Sequence, residues 1–149
     1  MKRKKTSKVY YSDNISWALQ KGTWILHFIV TFILYVILGQ FVSYNVSMQL
    51  TVISYNLLTF VFFHWIVGDP FDKNYREFTF WEQLSEQMEA NSTLLFMSMY
   101  PIIMFMIVSR YIVWNTILYI VALITLFLVT IPKLSFMHMK RIFGLKRYD

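Results

Sequence analysis

The feature that most constrains this 149-residue chain is a block of 47 residues, 22–68, that contains no charged side chain. One transmembrane helix needs about 20 predominantly apolar residues, so the block is long enough for two. A water-soluble fold rarely leaves so long a run without charge, because its outer face must contact water. The block therefore predicts a protein embedded in a lipid bilayer, and the apolar residue content of 57% agrees.

Apolar stretches elsewhere in the chain complete the predicted transmembrane domain. Only helices or closed barrels can cross hydrocarbon, and these stretches are continuous rather than alternating, so helices are favoured. The sequence therefore predicts an all-α membrane protein with four transmembrane helices. The predicted spans are about 23–39, 48–67, 92–108 and 111–131.

Basic residues at both ends of the chain indicate its orientation. An even number of spans places both ends on one side of the membrane, and the positive-inside rule makes that side the cytosol. The chain then divides into a cytosolic N-terminal segment (1–21), the four-helix domain (22–132) and a basic cytosolic tail (133–149). The span count places the loop between the second and third spans on the same side, and its acidic character does not conflict with this, because acidic residues count little in that rule.

This middle loop carries the pattern of a short helix. Thr79 and Glu82 have the spacing of a capping box, in which each residue bonds the backbone N–H of the other. Trp81, Leu84 and Met88 then recur at helical spacing. We expect a short amphipathic cytosolic helix at headgroup level between the second and third spans.

Residue types needed for most catalytic chemistry are absent or dispersed. The chain has no cysteine, which excludes disulfides and thiol chemistry. His27, His64 and His138 do not share a helical turn, so no metal site is predicted. The sequence contains no G-x-S-x-G, no H-E-x-x-H and no glycine-rich phosphate loop. No cofactor is expected.

Acidic residues of the middle loop leave one enzymatic alternative open. Glu82, Glu86 and Glu89 share much of one helical face, where carboxylates could act as acid and base in an intramembrane lipid-modifying enzyme. A solvated polar face is the commoner meaning of such a run.

Short motifs distributed along the chain resemble those of the ORM/ORMDL proteins, endoplasmic-reticulum regulators of sphingolipid synthesis. The resemblance covers about residues 12 to 148, and the pieces occur in the family's order. The motifs are Lys21-Gly22 with Trp24, His64 with Gly68, Pro70 and Phe71, Trp81-Glu82-Gln83, Pro101-Ile102, Ile131-Pro132-Lys133-Leu134, His138, and Arg141-Ile142-Phe143-Gly144.

This resemblance implies a non-catalytic regulatory subunit in the endoplasmic-reticulum membrane. Family members bind the large subunits of serine palmitoyltransferase, which joins serine to an acyl-CoA. When ceramide accumulates, the N-terminal segment is held in the acyl-substrate path and blocks it. The implied partners are that enzyme, ceramide and membrane lipids, with no nucleic acid. A general scaffold for membrane proteins is a further alternative.

Asn14 is the residue that the resemblance identifies as the ceramide sensor. It lies eight residues before Gly22, in the place of the family's ceramide-contacting Asn. A carboxamide both donates and accepts hydrogen bonds, so it suits the hydroxyls and amide of a ceramide headgroup. The alternative is an N-cap or turn Asn, a frequent structural role.

Other positions are predicted regulatory or contact residues. The basic N-terminus makes Thr6, Ser7 and Ser12 possible phosphorylation sites, where phosphate would offset the lysines near an anionic membrane. The family motifs supply the predicted contacts to partner or lipid: His64, Pro70, Phe71, Trp81, Lys133 and Arg141.

Overall fold

The computed structural model describes residues 11–70, 72–88 and 92–140, and the regular structure in these ranges is helical apart from one isolated β-bridge between Val67 and Thr79. The predicted all-α class is confirmed. The α-helices are α1 (Asp13–Ser16), α2 (Thr23–Gly39), α3 (Tyr44–Phe60), α4 (Phe80–Met88), α5 (Ser92–Tyr111) and α6 (Thr116–Thr130). A π-helical turn, Val61–Trp65, continues α3, and short 3-10 turns are Trp17–Leu19, Lys73–Tyr75, Ile131–Lys133 and Ser135–Met137.

Three of the described helical segments are long and apolar enough to cross a membrane: Tyr44–Trp65, Ser92–Tyr111 and Thr116–Lys133. The 17-residue α2 follows α1 and the turn Trp17–Leu19 at a bend of 88°. The count becomes four if this bent pair is one span. The protein therefore has the helices of a multi-pass membrane protein, with the fourth span depending on α2.

Helix α3 is the centre of the bundle, because it packs against α2, α5 and α6. Half of its most apolar stretch is buried inside the protein, compared with 22% for α5 and 17% for α6. Its buried face includes polar side chains, and Gln49 shows why they are tolerated. The Gln49 side chain donates to the carbonyl of Val113 (3.0 Å) and accepts from the backbone N–H of Asn115 (3.1 Å). It thereby satisfies backbone groups in the turn between α5 and α6.

The boundary between the last two helices differs from the prediction. Helix α5 continues to Tyr111, and the break follows at residues 112–115. Asn115, predicted inside the fourth span, is instead the N-cap of α6, where its side chain accepts from the backbone N–H groups of Ile117 (2.9 Å) and Leu118 (3.3 Å). Arg110 is tolerated in the last turn of α5 because a cation interacts favourably with a helix C-terminus.

One end of the bundle brings together three segments that are distant in sequence. The segment of residues 11–19, which we call the N-terminal segment, packs on α4, and the stretch after α6 packs there too. The shared buried cluster takes Ile15 and Ala18 from the N-terminal segment, Trp81 and Leu84 from α4, and Phe63 from the π-helical turn. This cluster positions the candidate site.

Candidate functional site

Asn14 lies where the N-terminal segment meets α4. Its Nδ2 donates a hydrogen bond to Oε1 of Gln83 at 2.8 Å. Asn14 is inside α1, whose N-cap is Ser12, so the alternative role as an N-cap is wrong. Its side chain joins two segments rather than closing a local turn.

Gln83 is itself fixed by the backbone around it. The side chain is fully buried, and its Nε2 donates to the carbonyls of Gly68 (3.2 Å) and Phe78 (3.3 Å). Only the amide nitrogen can donate to two carbonyl oxygens, so these contacts determine which way the Gln83 amide points. Its Oε1 is left to face Asn14.

A second pair of contacts holds the same segment one helical turn further along α4. The backbone N–H of Ser12 donates to Oε1 of Gln87 (2.9 Å), and Nε2 of Gln87 donates to Oγ of Ser12 (3.3 Å). Ser12, a predicted phosphorylation site, is consequently only 6% exposed. The other two predicted phosphorylation sites, Thr6 and Ser7, lie outside the described residues.

The capping box predicted for α4 is confirmed. Oε2 of Glu82 accepts from the backbone N–H of Thr79 (2.7 Å), and Oγ1 of Thr79 accepts from that of Glu82 (3.3 Å). The other carboxylate oxygen of Glu82, Oε1, accepts from the backbone N–H of Met139 at 2.8 Å. Glu82 therefore joins the start of α4 to the chain that follows α6.

The prediction of a solvated acidic face is wrong for Glu82, which is buried because both its oxygens bond backbone N–H groups. It holds for Glu86, whose side chain is 53% exposed and lies 3.6 Å from Nε2 of His138. Glu89 lies outside the described residues. Within the described part of the chain, no three His, Asp or Glu side chains are placed to hold a metal ion.

Three of the family-motif residues come together. Nζ of Lys133 lies 5.1 Å from the centroid of the Trp81 ring and 5.7 Å from that of Phe63, and it donates to the carbonyl of Met97 at 2.8 Å. The His64 ring packs 6.0 Å from Trp81. Their predicted contacts to partner or lipid stay a prediction; within the described chain Lys133 and Trp81 contact each other. Pro70 is exposed, and Phe71 and Arg141 lie outside the described residues.

An apolar pocket of about 390 Å³ lies between α2 and α3. Trp17 of the N-terminal segment lines it, together with Leu26, Leu58 and Phe62. The polar side chains in its lining include His27, whose Nδ1 lies 2.6 Å from the hydroxyl of Tyr55. The pocket is therefore suited to an apolar chain rather than to a polar metabolite.

Gln83 and Gln87 are the site residues that the sequence reasoning missed. Gln83 belongs to the motif Trp81-Glu82-Gln83, which signalled a family feature but not a partner for Asn14. A glutamine on a predicted amphipathic helix is expected to be solvated, and the contact of Gln83 with a segment 69 positions away in sequence is visible only in the folded structure.

Comparison with known proteins agrees with the motifs quoted above. The model of the ORMDL family matches residues 12–141. An uncharacterized protein of Schizosaccharomyces pombe is 34% identical over 139 residues, which cover 90% of this chain and 75% of that protein. ORM1-like protein 2 of Homo sapiens is 31% identical over 134 residues, covering 86% of this chain and 88% of that protein. ORM1-like protein 3 of Mus musculus shows the same identity and coverage. The chain belongs to the ORMDL family.

Proposed function

We propose that this protein is a non-catalytic regulatory subunit of serine palmitoyltransferase in the endoplasmic-reticulum membrane. It senses ceramide and inhibits the first step of sphingolipid synthesis, because its N-terminal segment obstructs the acyl-CoA path of the enzyme. Family membership supports a role in sphingolipid regulation, and the ceramide-dependent gate is the finer part of the proposal.

The observation that carries the proposal is the docked N-terminal segment. Asn14 and Trp17 lie on one short helical stretch, with Asn14 bonded to α4 and Trp17 lining the apolar pocket. A ceramide has the matching halves, since its headgroup offers hydroxyl and amide groups and its chains are apolar. One ligand could therefore hold the segment through both residues, which is what a ceramide-dependent gate requires.

Both ends of the described chain support the proposed cytosolic orientation. The N-terminal segment contacts α4 through Asn14, and the chain after α6 contacts α4 through Met139. These segments therefore lie at one end of the bundle, as an even number of spans requires. Membrane-impermeant labelling of cysteines introduced at Lys5 and Lys140 in sealed microsomes tests this. Protection of either position would contradict the gate, because the N-terminal segment could not reach a cytosolic active site.

The bonding of Glu82 argues against the enzymatic alternative. An acid or base must have a free oxygen that can reach its substrate, and Glu82 gives one oxygen to Thr79 and the other to Met139. Purified protein that alone turned over a lipid would nevertheless revive that alternative. Affinity capture without serine palmitoyltransferase would favour the scaffold.

The decisive experiment is the change Asn14→Ala in the reconstituted complex with serine palmitoyltransferase. We expect the complex to assemble and ceramide-dependent inhibition to be lost. Ser16→Ala, at an exposed position of the same helix, is the matched control and should respond to ceramide like the unchanged protein. Full inhibition by ceramide in the Asn14→Ala complex would remove the sensor assignment.

The N-terminal phosphorylation hypothesis is tested in the same assay. We propose that phosphate at Thr6 or Ser7 weakens inhibition by reducing the attraction of the basic tail to anionic lipid. Phosphomimetic changes at both positions that left inhibition intact would end this hypothesis.

A further inference from the structure

We propose that Gln83 fixes the orientation of the Asn14 amide, so that the site requires a hydrogen-bond donor from its ligand. This inference rests on the proposed function of Asn14 and specifies which ligand group the sensor recognises. It makes Gln83 a positioning residue, because it acts through Asn14.

The first step is the orientation of Gln83. Two backbone carbonyls, those of Gly68 and Phe78, lie 3.2 and 3.3 Å from its Nε2. A carbonyl oxygen in this position would face two other oxygens, and the fully buried side chain has no water to relieve that repulsion. Gln83 therefore presents Oε1, an acceptor, to Asn14.

The second step transfers this constraint to Asn14. The atom of Asn14 that lies 2.8 Å from Oε1 of Gln83 must be a donor, and so it is Nδ2. The Oδ1 atom diverges from the same carbon and has no hydrogen-bond partner among the described residues. Asn14 is half-buried, so this oxygen is the acceptor that the protein offers to a ligand.

The third step concerns the ligand. A free carboxamide could rotate to suit either a donor or an acceptor, but the backbone carbonyls of Gly68 and Phe78 fix this one through Gln83. A ceramide supplies donors in its hydroxyls and amide N–H. A lipid of the same shape that only accepts hydrogen bonds would place two acceptors against each other at Oδ1, which is unfavourable.

The test compares two ligands on the full complex of this protein with serine palmitoyltransferase. One is short-chain ceramide, and the other is its analogue with both hydroxyls and the amide nitrogen methylated, which accepts but cannot donate. We measure the ratio of the two concentrations that give half-maximal inhibition. With the unchanged protein, ceramide should be at least about tenfold more potent, in the range expected for one buried hydrogen bond.

The change Gln83→Met removes the constraint at nearly constant volume, and we expect the ratio to fall about threefold to tenfold. Gln87→Met is the matched control, since it loosens the same segment through Ser12 without touching Asn14. Its ratio should remain that of the unchanged protein. A retained ratio in Gln83→Met, or an equal fall in both variants, would overturn the inference, because the role of Gln83 would then be docking alone.

A second variant covers the case in which Gln83→Met does not assemble. Asn14→Asp keeps an acceptor oxygen but cannot donate to Gln83, so we expect sensitivity to ceramide to fall about threefold to tenfold. A normal response of Asn14→Asp would also overturn the inference. Failure of the proposed function is recognised separately, because Asn14→Ala would then respond normally to ceramide.

Discussion

Nζ of Lys133 lies 5.1 Å from the centroid of the Trp81 ring and also donates to the carbonyl of Met97. The contact joins the end of α6 to α4 and α5. Both residues belong to motifs shared with the family, and both are used inside the fold. Lys133 therefore ties together α4, α5 and the end of α6 at the end of the bundle that holds the N-terminal segment.

The first prediction concerns the free energy of this contact. In a double-mutant cycle of Lys133→Met and Trp81→Leu, we expect a coupling of about 1 kcal/mol, because a part-buried ammonium is attracted to the indole face. The measurement is the free energy of unfolding in detergent micelles, followed by circular dichroism. Lys140→Met, which removes an exposed ammonium, should show no coupling to Trp81→Leu. A coupling near zero between Lys133 and Trp81 would mean that packing alone, and not the cation–π contact, stabilises this end of the bundle.

The second prediction compares the contributions of Glu82 and Glu86 to the free energy of unfolding. Glu82→Gln replaces one acceptor oxygen by an amide nitrogen that faces a backbone N–H, either of Thr79 or of Met139. We expect a loss of about 2 kcal/mol in the free energy of unfolding, typical for a charge-assisted bond replaced by two opposed donors. Glu86→Gln, at an exposed position, should change it by less than about 0.5 kcal/mol.

These two glutamates show what the sequence could and could not predict. The capping box is a local pattern of residues three apart, and it predicted the bonds between Thr79 and Glu82 correctly. The burial of Glu82 depends on Met139, 57 residues away, and no local pattern contains that information. Periodicity placed both glutamates on one polar face, and tertiary contacts then gave them different environments.

For the fold and for the site as well, local sequence patterns predicted one part and contacts between distant segments determined the rest. Hydropathy predicted the membrane helices because the bilayer imposes their length and composition. It placed the break between the last two helices too early in the chain, because the charged Arg110 indicated the end of a span. The resemblance pointed to Asn14 as the sensor, an assignment that the Asn14→Ala experiment tests. Its bond to Gln83 comes from packing between segments 69 residues apart, so only the folded structure reveals it.

The third prediction concerns the turn between α5 and α6. Gln49→Leu leaves the carbonyl of Val113 and the N–H of Asn115 without their side-chain partner. We expect the free energy of unfolding to fall by about 2 kcal/mol, since two part-buried backbone groups each lose a hydrogen bond of about 1 kcal/mol. Gln40→Leu, an exposed change of the same kind, is the control and should stay within about 0.5 kcal/mol. Equal stability of both variants would show that the turn does not depend on Gln49.

The last prediction concerns release of the N-terminal segment by negative charge. Ser12 is buried against Gln87, and a carboxylate or phosphate there would have to leave water. Ser12→Glu should therefore detach the segment from α4. The chain has no cysteine, so Ala18→Cys gives a single reporter at a position that is fully buried while the segment is docked.

We expect maleimide to label Ala18→Cys at least about tenfold faster when Ser12→Glu is also present, because exposure of the thiol then follows undocking. Ser12→Ala, which retains the backbone bond to Gln87, should raise the labelling rate much less. Ser16→Glu adds the same charge at an exposed position of α1 and should leave the rate unchanged. Equal rates in Ser12→Glu and Ser16→Glu would show that the segment tolerates charge at Ser12 while docked, and phosphorylation there could not release the gate.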